Sequence, residues 1–209
     1  MQTVNVKNED QANAIVRAIY ERRSVRKFSD RPVAKQQIDQ IIDAGRMAPS
    51  AMNHQPWSFY VLTDKAEIKT FSKEISRASV KEISRMGIKD ILKSAAGLIH
   101  AIANVDFFTM EDFVFHGAPV VIFLTAPKDN EWSSLDIGMC AQNMMLAAHS
   151  LGLASCPVGF GKFVEHTKDY PRLRIPANEQ VLLSVIFGYA DEQPVVHERR
   201  KNNVFFLNG

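Results

Sequence analysis

Apolar positions along this chain first recur with a helical period. Over residues 8–20, Ala14, Ile15, Ala18 and Ile19 share one face, which predicts an amphipathic helix. Residues 22–28 follow as a loop or short extended piece. Asp30-Arg31-Pro32 then breaks the chain, and residues 35–47 predict a second helix with Ile38, Ile41 and Ile42 inward. Pro49 and Pro56, with Ser50 and Asn53 between them, forbid a regular helix over 49–56. The period changes to two over Trp57 to Thr63, a strand. Residues 64–116 read as mostly helical, charged from Lys65 to Lys93 and more apolar from Ala95 to Phe115. Ala118 to Thr125 is an almost continuous apolar run, hence a buried strand. Asp136 suits the N-cap of a long helix that stops near Gly152. Ile137, Met139, Cys140, Met144, Met145, Leu146 and Leu151 make that helix apolar on nearly all sides. Such a helix belongs in the middle of a core or across a subunit interface. Residues 154–157 predict a short strand that enters the loop 158–161, and residues 180–189 a strand ending at Gly188. The tail closes on Val204-Phe205-Phe206-Leu207, an apolar run expected to pack on another subunit. Strands and helices do not alternate strictly. The expected class is therefore α+β, with a central mixed or antiparallel sheet flanked by helices.

At 209 residues the chain is expected to form a single domain spanning 1–209. Apolar residues at 46% and charged residues at 23% exclude a disordered chain, a collagen and a coiled-coil rod. The net charge of +2 argues against nucleic acid or an anionic membrane as the main partner, since both require a dominant basic field. The basic residues are nevertheless knotted: Arg22, Arg23, Arg26 and Lys27 lie together, as do Arg199, Arg200 and Lys201. The N-terminal MQTVNVKNEDQ carries no apolar leader segment, and the longest apolar runs, 119–124 and 181–187, fall far short of a membrane helix. Two separated cysteines, Cys140 and Cys156, form neither a disulfide framework nor a CxxC pair. These features together point to the cytoplasm. The six histidines show no HxH, HExxH or Cys/His cluster, so no metal site is expected. The absence of GxxxxGK[ST], GxGxxG and GxSxG argues against a P-loop, a Rossmann dinucleotide domain and an α/β-hydrolase.

Three segments carry candidate chemistry. In an extended Arg22-Arg23-Ser24-Val25-Arg26, alternate residues converge, so Arg22, Ser24 and Arg26 would face one side. Two guanidiniums and a hydroxyl suit a phosphate or a polar heterocycle edge, because arginine donates paired, charge-assisted hydrogen bonds; the plainer reading is a solvated basic turn. Pro49-Ser50-Ala51-Met52-Asn53-His54-Gln55-Pro56-Trp57 is a rigid, donor-rich turn entering a strand beside an aromatic, which suits a flat heterocyclic ligand; the plainer reading is an ordinary connection. Pro157-Val158-Gly159-Phe160 allows close approach of backbone to a ligand, and Arg199-Arg200-Lys201 offers a second anion contact or a solvated charge run.

The strings ERRSVRKFSDRPV, PSAMNHQPWSFYVLTD, DIGMCAQNMMLAAHSLGLASCPVGF and VLLSVIFGYADEQP, followed by RRK, resemble the FMN-dependent nitroreductase family and occur in its order. The resemblance covers the chain except residues 64–116, a variable, mostly helical region where the family carries an acceptor-side lid. It implies a nitroreductase-like α+β fold and an intertwined homodimer with two FMN sites at the interface. It also implies that Arg22, Ser24 and Arg26, with Arg23 beside them, bind FMN. Pro49, Ser50, Ala51, Met52, Asn53 and Gln55 would form the loop that reaches the flavin held mainly by the other subunit. Val158 and Gly159 would place a backbone N–H near flavin N5, and Arg199 or Arg200 would reach the phosphate. No residue is expected to be catalytic in its own right, since the flavin performs the chemistry. NADH or NADPH would deliver hydride to N5 in a ping-pong cycle, and a small organic acceptor (nitroaromatic, quinone or enone) would then take the electrons. The competing readings are a flavin reductase, dehalogenase or flavin-cleaving enzyme on the same scaffold, and a non-enzymatic FMN-storing or sensing protein. Phe107, Phe108, Phe113 and Phe115 are candidates for the lid or simply for core.

Overall fold

The strand anticipated from the longest apolar run lies at the centre of the molecule. The computed structural model of the chain describes residues 14–85 and 112–207. Strand β2, Val120–Pro127, is buried from Val120 to Ala126. It is flanked by β1, Ser58–Leu62, and β4, Glu179–Gly188, and β3, Ala154–Val158, pairs with the far side of β4. The order is β1-β2-β4-β3 and every neighbouring pair is antiparallel, so of the two expected sheet types the antiparallel one is found.

Helices cover both faces, and this explains why an antiparallel strand reads as a continuous apolar run rather than an alternating one. Successive β2 side chains point to opposite faces. Val120, Ile122 and Leu124 pack with Ile38 and Ile41 of α2 (Lys35–Arg46) and with Ile137 and Met144 of the long helix that follows β2. Val121 and Phe123 pack on the other face with Phe71 and Ile75 of α3, Lys65–Arg85, and with Phe115 and Val164. Phe123 meets Phe71 and Phe115 edge to face, with ring centroids 6.4 and 5.9 Å apart. Each fully buried side chain of this kind contributes about 1.5–3 kcal/mol. The buried Thr125 hydroxyl donates to the Glu179 carboxylate, which also accepts from the Ser58 hydroxyl at 3.1 Å, so this polar set is satisfied inside the sheet.

Two boundaries differ from expectation. The long helix, α4, spans Ser133–Ser150 and starts three residues before Asp136, because Ser133 is already held by Asn130 O through its N–H and by Pro127 O through its hydroxyl, each at 3.1 Å. Asp136 is therefore inside the first turn and is not the cap. The stop at Gly152 is as anticipated: Gly152 adopts φ 74°, and Leu153 N–H reaches back to Ala148 O at 2.8 Å. The second difference lies at 158–161, where the expected loop is the start of a 3-10 helix, Gly159–His166. Its Gly161 passes so close to β4 that a Cβ there would lie 2.0 Å from the Ser184 Oγ.

The first helix, α1, is described over Ala14–Glu21, and residues 8–13 of the anticipated helix lie outside the described residues. None of its residues is buried, and Ile15 is 64% exposed. Of the anticipated lid aromatics, Phe115 is fully buried in the core and Phe113 packs on Phe160 at 5.8 Å; Phe107 and Phe108 lie outside the described residues.

The Gly161 contact yields a stability prediction. Gly161→Ala drives a methyl into the fully buried Ser184, whose hydroxyl donates to Val158 O at 3.0 Å, and is expected to cost about 1–3 kcal/mol. Urea unfolding of variant and wild type measures this directly, and an unchanged midpoint refutes it.

Candidate functional site

The first basic segment is placed by main-chain pairing. Arg22 N–H closes α1 on Ala18 O at 2.9 Å, and the chain then runs extended. Ser24 forms a parallel bridge with Ser155 of β3, Val25 N–H donates to Ser155 O at 3.1 Å, and Phe28 bridges Ala190 just beyond β4. Val25 is buried by this pairing, which leaves Arg22, Ser24 and Arg26 on the opposite side. The chain leaving β4 returns alongside: Asp191 N–H donates to Lys27 O at 2.9 Å, and Arg26 N–H donates to the Glu192 carboxylate.

Between these two stretches lies a cleft of about 480 Å³. Arg22, Arg23, Ser24 and Arg26 line one side, and Glu192, Pro194, Val195, His197 and Arg199 line the other. Four guanidiniums thus share one cleft with one carboxylate. The Arg22 Nη1 and the Arg23 Nε are buried without a hydrogen-bond partner among the described residues. Burial lowers the Arg22 pKa from its ordinary value, and the neighbouring Arg23 and Arg199 charges lower it further. A desolvated guanidinium among cations is a strong site for an anion of matching shape. Arg199 belongs to the cleft; Arg200 is exposed and is not among its lining residues, while Lys201 lines an adjoining cleft with Glu198, Asn202 and the same Arg199.

Two residues passed over at the sequence level sit beside the arginines. Ser155 is 1% exposed and its hydroxyl is an orphan like the Arg22 and Arg23 nitrogens. A serine in a short strand carries no sequence signal of its own; only the bridge to Ser24 brings it here. Cys156 follows it. Burial pushes the Cys156 thiol up, against the pull of Arg26, the Ser24 hydroxyl and Arg22. Burial alone pushes Cys140 up to about 12, so burial disfavours the thiolate at both cysteines.

His116 is near enough to Arg26 to feel its charge and lines a cleft of about 410 Å³ with Phe28, Lys65, Lys69 and Asp112. Its backbone is left-handed, φ 54°, and Asp112 holds the turn by accepting from Phe115 N–H at 2.8 Å and Gly117 N–H at 3.0 Å. Burial lowers the His116 pKa, with Arg26 adding to the effect and Asp112 and Glu192 opposing it.

The other predicted site residues lie elsewhere. Among the described residues, none of Pro49, Ser50, Ala51, Met52, Asn53, Gln55, Val158 or Gly159 lines the arginine cleft. Ala51–Asn53 is a 3-10 turn, and Met52, Asn53 and Gln55 are left-handed at φ 48°, 55° and 47°. Pro49 lines a shallow cleft of about 350 Å³ on α4 with Leu135, Gly138 and Met139. Val158 and Gly159 stand at the end of β3 beyond Ser155, three residues or about 10 Å along the strand to Val158. Gly159 is exposed, and among the described residues nothing lies within 4 Å of where its Cβ would be. Among the described residues, no group of three His, Cys, Asp or Glu could hold a metal ion, and no helix is long and apolar enough to cross a membrane.

Comparison with known proteins gives one family. A family model described as "Nitroreductase family" matches residues 19–189. A 4-nitrobenzoate reductase from Pseudomonas putida is 30% identical over 200 residues, 86% of each chain. The FMN-dependent nitroreductase NfnB from Mycobacterium smegmatis, solved in complex with NADPH, superposes with a TM-score of 0.69 at 29% identity, covering 87% of this chain and 90% of that one. A nitroreductase with bound FMN from Desulfitobacterium hafniense shares the fold, with a TM-score of 0.73 at 22% identity over 93% of this chain and 98% of that one.

The buried imidazole predicts a pH effect. A histidine whose folded pKa is depressed contributes stability that is present above its ordinary value of 6.5 and is lost as the pH falls below it. His116→Asn, whose side chain tolerates the left-handed backbone, is expected to flatten the decline in stability between about pH 6.5 and 5. Urea midpoints across that range test it; parallel declines in variant and wild type refute it.

Proposed function

Because the chain belongs to the Nitroreductase family, we propose that it is an FMN-dependent oxidoreductase, acting as a homodimer, with NADH or NADPH as electron donor and a small organic acceptor such as a nitroaromatic, quinone or enone. The observation that carries this reading is the arginine cleft. Two buried guanidinium nitrogens without partners, four arginines and one opposing carboxylate fit a ligand that brings a phosphate. The bound FMN of the D. hafniense structure and the NADPH of the M. smegmatis structure are in keeping with it.

FMN held there would supply the redox chemistry between the nicotinamide donor and the acceptor. The chain supplies the rest. Arg22, Arg23 and Arg199 would hold the phosphate, with the Ser24 hydroxyl beside them. Arg26, on the same side as Arg22 but further along the chain, would meet the polar edge of the ring and favour negative charge there. Arg200, outside the cleft, is left to solvent. Val158 and Gly159, where the missing Cβ leaves open space, would bring backbone N–H close to the ring.

The separation of the Pro49–Gln55 loop from this cleft supports the dimer. A loop that stays out of its own chain's arginine cleft is available to a neighbour's, and in this reading Pro49, Ser50, Ala51, Met52, Asn53 and Gln55 face the cofactor held by the partner. The open surface agrees. Leu135 on α4 is 55% exposed, Met52 80% and Phe205 of the tail 81%. Gly138 lies exposed in the interior of α4, and among the described residues nothing is within 4 Å of its Cβ position. A glycine there costs about 0.5–1 kcal/mol against alanine, and no contact among the described residues calls for it; a second helix approaching closely accounts for it. On this reading all 209 residues form one domain and half of a working unit.

Two experiments test the proposal. Arg22→Ala and Arg26→Ala each remove charge-assisted bonds of roughly 1.5–3 kcal/mol and are expected to weaken FMN binding about 10- to 100-fold by fluorescence titration. Anaerobic NADH or NADPH should bleach the wild-type flavin. Variants that bind FMN as tightly as wild type, or no bleaching with either donor, overturn it. Light scattering should give about twice 23.5 kDa, and Gly138→Leu should shift the protein toward monomer while each chain stays folded; a wild-type monomer carrying FMN refutes the dimer.

A further inference from the structure

Asp136 is 1% exposed, and its carboxyl group makes no capping bond to its own helix. Instead Oδ1 accepts the N–H of Ala51 at 3.1 Å, across to the turn that follows α2. Oδ2 is buried and has no partner among the described residues. A buried carboxyl group left half-satisfied is costly, and an apolar or amide side chain would be cheaper at a position used only for packing. Glu179 shows the ordinary solution, with a hydroxyl on each of its two oxygens.

The recipient loop is strained. Met52, Asn53 and Gln55 all have positive φ and none is glycine. Such residues cost of order one to a few kcal/mol each and persist only where surrounding structure holds them. Four hydrogen bonds are internal to the loop: Asn53 N–H to Ser50 O at 3.0 Å, His54 N–H to Ala51 O at 3.0 Å, Gln55 N–H to the Ser50 hydroxyl at 2.9 Å, and the Gln55 amide to Asn53 Oδ1 at 3.1 Å. They shape the turn but do not fasten it to the body of the protein. The Ala51–Asp136 bond does, and it fastens it to the turn of α4 that also carries the exposed Leu135 and Gly138.

We infer that Asp136 is a positioning residue: by holding Ala51 against the first turn of α4 it keeps the Ser50–Gln55 loop in its left-handed form, and so presets the donors that the loop offers to the flavin. The second half of this statement rests on the function proposed above; the first does not. The clamp also joins the cofactor loop to the helix whose open face would meet the second subunit, so dimer formation and loop geometry share one element.

The test uses the full chain, first without cofactor. Asp136→Ala is expected to speed amide hydrogen exchange at Ala51 and Asn53 at least tenfold, with Met144 in the buried part of α4 unchanged. Asp136→Asn keeps an oxygen acceptor and should restore most of the protection. Ala51→Pro deletes the donor without touching Asp136. Ser50 is extended at φ −139° and ψ 155°, as the residue before a proline must be, so this variant decides the matter even where Asp136→Ala does not fold. With FMN added, Asp136→Ala and Ala51→Pro should each weaken binding about tenfold and alter the visible circular dichroism of the flavin. Arg22→Ala should weaken binding and leave Ala51 exchange as in wild type. Unchanged exchange at Asn53 in both loop variants overturns the clamp. Faster exchange with unchanged FMN affinity and dichroism overturns its role at the site. A wild-type protein that binds no FMN overturns the proposed function, and the exchange data still decide the clamp.

Discussion

The arrangement of this protein depends on one piece of backbone pairing. The extended segment from Ser24 to Phe28 is pinned to Ser155 at one end and to Ala190 at the other. Together the two bridges lay a run of arginines along the rim of the sheet and hold the chain leaving β4 beside it. The sheet makes this possible. Because β4 lies between β2 and β3, its end emerges next to β3, where the segment is already docked. Arg22 and Arg199, 177 positions apart in the chain, thereby line one cleft. Four like charges would not gather without this scaffolding, and the main chain, with Glu192 at its centre, offsets part of their repulsion.

A second division of labour runs through α4. One face, with Ile137, Cys140, Met144 and Ala148, is sealed against β2 and β4. The other carries Leu135 and Gly138 into the open. In the proposed dimer, a helix so apolar on both sides would gain from burial twice, once in its own chain and once against the partner. Asp136, at the border of the two faces, is the point where this helix touches the turn after α2. Core packing and the anchoring of the Ala51 turn therefore meet within a single helical turn.

Several features could be read directly from residue order. The period of two at 57–63, the unbroken run at 118–125 and Gly152 after an apolar helix each have a local physical cause, and each element lies where that cause puts it. The arginine segment was legible for the same reason: alternation in an extended chain sends Arg22, Ser24 and Arg26 to one side whatever they face. Other features were not. Asp136 reads as a helix cap, because a carboxyl group before an apolar run ordinarily serves the N–H groups of its own helix. Here the turn after Pro127 starts the helix earlier and leaves that side chain for Ala51. Gly159 drew notice because a glycine lets backbone approach a ligand closely, whereas Gly161, Gly45 and Gly188 are glycines that packing within the chain requires. Ser155 gave no signal at all.

Residue order by itself thus determined the elements, the antiparallel-capable α+β class, the two basic knots and the donor-rich turn, because periodicity, breakers and charge act over a few residues. Only the tertiary structure decided that Arg199 and not Arg200 joins the cleft, that Ser155 and Cys156 lie beside it, and that the Pro49–Gln55 loop stays out of it. Those outcomes hang on which strand edges pair and on where a chain re-emerges from a sheet. Long-range closure settles both, and no local pattern encodes it.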